Sequence, residues 1–231
     1  MTQITGTVNA TLTLYADATV DQSGVFVPCF TRGTMITTDR GQVAVEDLQQ
    51  GDMVWTADNG MQPIRWIGSR VVGSVELNLT PELRPIRIRR GALGANTPER
   101  DLTVSPQHRV LVRSGIAQKM FGTDEVLVAA KQLCQLDGID IVRDDAEVEY
   151  FHMLFERHEV VLSDGALTET LFTGPEALRS IGAAALEEVF ALFPELRDMD
   201  YTAVSARPLA SGRMGRKLAV RHARNDKPLV M

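Results

Sequence analysis

Polar and apolar residues alternate with period two along much of the chain, which is the spacing of strands with one buried face. The alternation begins at residues 4–27 ("ITGTVNATLTLY" and "ATVDQSGVFV") and resumes in "GTMITT" (33–38), "GDMVWTADNG" (51–60), "QPIRWIGSRVV" (62–72) and "LRPIRIRRGAL" (83–93). Asp58, Asn59 and Gly60 form a turn signal between two such runs, because Asn-Gly tolerates the positive φ of a tight hairpin. Further strands are expected in "RDLTVSPQHRVLVRSG" (100–115), "GIDIV" (138–142), "EVEYFHMLFE" (147–156) and "HEVVLSDG" (158–165), and "DEVLVAAKQLCQLDG" (124–138) reads as helical.

The period changes at Gly174. From there, apolar residues fall at 178, 181, 185, 189, 192, 193 and 196, a helical stripe that Pro175 can start and Pro194 can stop. Glu187 and Glu188 in its middle favour packing on a β-rich body over membrane insertion. One echo links two parts of the chain: "VAVEDLQQGDMV" from Val43 and "VAAKQLCQLDGIDI" from Val128 share a V-A-x-x-x-L spacing, then an Asp/Gly turn and a strand. Two related halves imply a duplicated β unit with pseudo-two-fold symmetry. In that register Cys134 is expected to be a core thiol.

Composition narrows the class. With 231 residues, 44% hydrophobic and 23% charged, the chain is long enough for a substantial core and is not a disordered segment. The net charge of −6 argues against general nucleic-acid binding. It hides an asymmetry: from Ser205 onward seven Lys or Arg face one Asp, which leaves −12 on the rest, and a solvated basic terminus is expected. The start lacks the pattern of a cleavable signal, no apolar run reaches the ~20 residues of a membrane span, and the compartment is left open. Two cysteines supply neither a disulfide framework nor a metal ligand set, so no cofactor or metal is expected.

Cys29 follows Pro28 at the mouth of a strand-like run. A thiol there can attack the carbonyl of the preceding residue and turn a peptide bond into a thioester. That chemistry needs a base for the thiol, an acid for the departing nitrogen and donors for the oxyanion. Ser105 and His108, three apart in "LTVSPQHRVLV", could converge on one peptide bond; on spacing alone, a turn in which Ser105 caps Pro106 and His108 is half exposed is the favoured reading. His152 shares a strand face with Tyr150 and Leu154, so it can point inward and take the thiol proton. His158 is expected at a strand end or on the surface.

The order of Cys29-"FTRGTMITT", "AVEDLQQGDMV", "VSPQHRVLV" and "FHMLFERHEVVLSDG" resembles the Hint fold of hedgehog autoprocessing domains and inteins, and more closely a bacterial Hint-type family. The resemblance covers about 27–174 and implies a mostly β, pseudo-two-fold Hint fold with an appended C-terminal helix. It divides the chain into N-terminal flanking strands (1–28), a Hint domain (29–173), a helical extension (174–204) and a basic tail (205–231). It further implies that Cys29 is the nucleophile, that His108 is the histidine of a T-x-x-H motif with Ser105 at the threonine position, and that His152 stands where relatives keep an Asp or Cys.

A splicing intein ends with His-Asn before Cys, Ser or Thr. Here "SDGALTETLFTGPE" has no such pair, so complete splicing is not expected. What the resemblance leaves is an N–S acyl shift at the Pro28–Cys29 bond, a single-turnover autocatalytic cleavage. The chain's own N-terminal segment is then the substrate, and water, an amine or another small nucleophile is the acyl acceptor. Two other readings stand beside it: an inactive Hint-like binding or assembly module, and a trans-acting cysteine hydrolase.

Overall fold

The computed structural model describes residues 28–144, 147–174, 178, 183–198 and 201–231. The strands expected over 4–27 lie outside the described residues. Among the described residues, fourteen strands form two sheets whose ladders are antiparallel. The first sheet runs in the order Ile139–Ile141 (β11), Ile86–Ile88 (β7), Leu102–Val104 (β8), Phe30–Thr31 (β1), Val148–Leu154 (β12) and Trp66–Val72 (β6). The second runs Glu125–Ala129 (β10), Arg109–Arg113 (β9), Ala166–Glu169 (β14), Val160–Ser163 (β13), Met35–Thr38 (β2), Met53–Thr56 (β4) and Gly60–Pro63 (β5), with Gly41–Ala44 (β3) paired to β2.

Both sheets contribute to one apolar core, which includes Phe30, Val104 and Phe151 from the first and Ile36, Val54 and Val110 from the second. β1 is only two residues long but lies between longer strands, with Phe30 opposite Val104 on one side and Phe151 on the other. That register decides where the functional side chains fall.

The helical reading of 124–138 does not hold. Glu125–Ala129 is a strand paired residue for residue with β9, and a 3-10 turn at Ala130–Gln132 follows. Val126 and Val128 are β-branched and fully buried, so tertiary pairing decides over the helix-forming Ala, Lys, Gln and Leu downstream. The correction strengthens the internal echo. Ala44 (φ −65°, ψ 139°) leads β3 into a 3-10 turn at Val45–Asp47, and Ala129 (φ −61°, ψ 133°) does the same after β10. In each copy a left-handed glycine, Gly51 or Gly138, then turns the chain before the next strand.

Among the described residues, four α-helices decorate the sheets: Ser74–Leu79 (α1), Gly115–Phe121 (α2), Ala183–Leu192 (α3) and Gly212–Asn225 (α4). The stripe expected in the appended helix is realised where α3 and the turn after it lie against the first sheet. Val189, Phe193 and Leu196 join Trp66, Leu77, Tyr150 and Leu154 in a second apolar cluster, which also contains Cys29. Each such side chain contributes about 1.5–3 kcal/mol by leaving water. Glu188 is anchored by the Trp66 indole, whose Nε1 donates to Oε2 at 2.9 Å. Leu192 departs from the stripe and stays exposed. No described helix is long and apolar enough to cross a membrane.

The stretch expected as a solvated basic terminus is folded. Ser211 caps α4 by accepting from Met214 N–H, and Leu218, Ala219 and His222 are buried while the arginines face outward. Before the helix, Leu127 N–H donates to Pro208 O and Ala210 N–H to Leu127 O, both at 2.9 Å, so the chain covers the open edge of β10. Arg207 pairs with Asp58 and Glu125. The cause is patterning: Arg213, Arg216, Lys217, Arg221 and Arg224 occupy one face of an amphipathic helix and its buried residues the other. Leu218→Ala should lower stability by about 2–5 kcal/mol in denaturant unfolding; a change below about 1 kcal/mol would contradict a docked α4.

Candidate functional site

The register of β1 places the site. Continuing the ladders one residue past Phe30 sets Cys29 between Ser105, which follows Val104, and His152, which follows Phe151. Directly opposed residues on antiparallel strands share a face, so three of the expected site residues converge for a reason contained in the pairing. Ser105 N–H donates to Cys29 O at 2.9 Å, and Cys29 N–H donates to Ser105 Oγ at 3.0 Å.

His152 is 5% exposed and makes two contacts. Its Nδ1 lies 3.2 Å from Pro28 O and its Nε2 3.7 Å from Cys29 Sγ. A carbonyl oxygen only accepts, so the ring proton sits on Nδ1. The Nε2 lone pair then faces the thiol. One imidazole thus touches both the thiol and the carbonyl just upstream of it.

Burial pushes the Cys29 thiol well above its ordinary value, with the Ser105 hydroxyl and the Arg70 cation opposing that rise. The thiol is therefore protonated at neutral pH. Burial also lowers His152 to about 4; the Pro28 carbonyl opposes this and Arg70 adds to it. His152 is neutral at pH 7, which is the state that can accept a proton.

His108 lies in the crossing between the sheets. β8 ends in the first, Ser105 to His108 forms a turn closed by His108 N–H to Ser105 O at 3.1 Å, and β9 begins in the second. The half-exposed alternative is excluded: His108 has no exposed surface, and its ring meets Phe30 edge-on at 4.4 Å between centroids. Neither ring nitrogen has a well-aligned hydrogen bond among the described residues, although the Cys29 main chain acts on the ring. Burial lowers its pKa to about 4, Glu169 and the Cys29 main chain raise it, and Arg109 and His152 lower it.

His158 lies at a strand end as expected, just before β13, but not on the surface. It is buried, with Nδ1 accepting from Ala206 N–H at 3.1 Å and Nε2 3.4 Å from Glu169 Oε2. The folded C-terminal segment covers it, which a reading of the local strand could not foresee. Cys134 is half-buried against the main core, with Sγ 3.8 Å from Ala130 O, and is not disulfide-linked to Cys29. Sequence reasoning missed Arg70, which sits opposite Tyr150 on β6, and Glu169 at the end of β14. Only the pairing across the sheets identifies them. Among the described residues, no group of three His, Cys, Asp or Glu could hold a metal ion.

A sequence model described as the Hint domain matches residues 28–175. Among solved structures, the chain is similar to a bacterial intein-like domain from Clostridium thermocellum, with 15% identity over 62% of this chain and 97% of that one and a TM-score of 0.39. It is also similar to a splice-inactive variant of the AceL NrdHF class 3 split intein, with 15% identity, the same 62% and 97% coverage and a TM-score of 0.42. No curated protein matches.

His108 and His152 both titrate below the ordinary 6.5, so at these two groups the unfolded chain binds more protons than the folded one between pH 6.5 and about 4. The stability linked to these groups is complete above pH 6.5 and falls as the pH drops toward 4. In urea titrations at pH 7 and pH 5, the unfolding midpoint should fall less in His152→Asn, which cannot titrate there, than in the parent. An identical drop in both would show that His152 is not held neutral.

Proposed function

The chain belongs to the Hint domain family, and on that premise we propose that it processes its own backbone by an N–S acyl shift at the Pro28–Cys29 bond. The observation that carries this reading is the single imidazole of His152 set between Cys29 Sγ and Pro28 O. Nε2 takes the thiol proton as Sγ attacks the Pro28 carbonyl carbon. The developing oxyanion then faces Nδ1–H of a ring that has just become cationic, a stronger donor than before.

The S–C bond forms in this addition, and collapse of the oxyanion then breaks the C–N bond. The departing Cys29 nitrogen, oriented by Ser105, takes a proton from His108, which has first taken one up from solvent. A thioester joins Pro28 to Cys29 Sγ, and His152 returns the thiol proton to solvent, so one proton is taken up and one is given back. Attack by water, an amine or a thiol then releases the N-terminal segment and restores the Cys29 thiol. The strand that ends at Glu169 carries no His-Asn pair, so the second half of splicing is absent from the proposal. The buried, protonated Cys29 makes this a general-base mechanism in which the thiolate never accumulates.

Intact-mass measurement with and without dithiothreitol tests the reading. A fragment beginning at Cys29 is expected, accelerated by thiol, abolished in Cys29→Ala and first order at every protein concentration. Full-length mass persisting over days in thiol would instead favour the assembly module, and a rate that slows on dilution the trans-acting hydrolase.

His108→Ala and His152→Ala should each slow the shift by about 10²–10⁴, with His108→Ala the more severe because thiol in solution cannot replace leaving-group protonation. With the trapping nucleophile saturating, the shift should survive acidification through pH 6.5 and fail only toward about 4, where His152 becomes protonated. Loss centred on 6.5 would mean that the base is an ordinary exposed histidine.

A further inference from the structure

Three ionisable side chains lie around the peptide that follows His108 and have no part in the acyl shift as described. Glu169 has no exposed surface. Its Oε1 accepts the backbone N–H of Arg109 at 2.9 Å, and its two oxygens accept from Arg109 Nη1 at 3.1 and 3.0 Å. On its other side is His158. Because His158 Nδ1 accepts from Ala206 N–H, the proton of the neutral ring sits on Nε2, which faces Glu169 Oε2. Burying a carboxylate costs far more than burying an aliphatic side chain of similar size, and a satisfied ion pair does not by itself explain retaining one.

We propose that Glu169 is a positioning residue for His108: it pins the main chain immediately after the imidazole and supplies the negative charge against which that imidazole takes up a proton. The proposal deepens the acyl-shift reading and rests on it. Expelling the Cys29 nitrogen needs a donor, and a neutral imidazole is a weak one. A ring sealed in an apolar site resists becoming cationic, and the charged neighbours that face it are few. Arg109 on β9 and His152 on β12 oppose protonation, the Cys29 main chain before β1 favours it, and Glu169 on β14 is the carboxylate that favours it. Glu169 also engages the Arg109 guanidinium directly, which offsets the cation nearest in sequence to His108.

Glu169→Gln separates the two roles, since an amide oxygen can still accept the Arg109 N–H while the charge is gone. Thiol-induced cleavage is to be timed in the parent, Glu169→Gln, His108→Ala and the double variant, with thermal unfolding confirming that each is folded. Glu169→Gln is expected to slow the parent about tenfold, the worth of one pKa unit at the donor, and to change the His108→Ala rate by less than about twofold. Equal losses in both backgrounds would assign Glu169 to folding alone, and an unchanged parent rate would remove its charge from the mechanism; either result overturns the proposal.

NMR titration of the His108 ring gives a readout that needs no cleavage. Its pKa should be lower in Glu169→Gln than in the parent and return in Glu169→Asp, which keeps the charge; no shift overturns the proposal. Should the parent fail to cleave, the acyl-shift reading falls by itself, while the titration still decides whether Glu169 acts on His108. If Glu169→Gln does not fold, Glu169→Asp decides by the same titration: a His108 pKa kept within half a unit of the parent supports the role of the charge, and a larger fall contradicts it.

Discussion

Phe30 and Thr31 are only two residues of strand, yet their position between β8 and β12 fixes the geometry of the site. Phe30 is almost fully buried and pairs with Val104 on one side and Phe151 on the other. A slip of one residue would turn Cys29 to the opposite face of the sheet, away from both Ser105 and His152. The apolar side chain of Phe30 therefore sets the register, and the register sets the chemistry. The same residue lies against the ring of His108, so the imidazole in the crossing between the sheets is packed on the residue that follows the nucleophile.

Enclosure shapes the reactivity of this arrangement. Cys29 belongs to the apolar cluster that α3 completes, and burial keeps its thiol protonated. An exposed, acidic cysteine would react with any electrophile; a buried one with a neutral imidazole beside it is suited to the carbonyl held in the same enclosure. His108 carries a further cost, because an imidazole sealed in the interior without a well-aligned hydrogen bond is expensive. Polar groups left in this state are where stability is given up for chemistry. The folded C-terminal segment adds a brace: it covers the edge of β10, whose partner β9 begins one residue after His108.

Much of this was legible in the sequence. Period-two alternation locates the strands, Asn59-Gly60 marks a hairpin, and the V-A-x-x-x-L echo identifies two units that follow the same course from strand to 3-10 turn. Cys29, Ser105, His108 and His152 could be singled out by residue type and spacing. Their convergence could not, since it depends on ladders between residues 76 and 123 positions apart. The segment 124–138 misleads because its Ala, Lys and Gln favour helix while Val126 and Val128 are claimed by β9. The end of the chain misleads through charge: seven cations suggest solvation, and the buried stripe of Leu218, Ala219 and His222 among them is easily overlooked. Ser114 and Gly122 bracket α2 with an N-cap and a left-handed C-cap, a helix that the reading of 100–115 as strand passes over.

The account depends most on His152 presenting a lone pair to the thiol and a proton to the Pro28 carbonyl at the same time. Long-range proton–nitrogen correlation NMR on the nitrogen-15-labelled chain at pH 7 reads this directly. A neutral ring protonated at Nδ1 is the result predicted here. A ring protonated at Nε2, or a fully charged imidazolium, would leave the thiol without a base and contradict the mechanism.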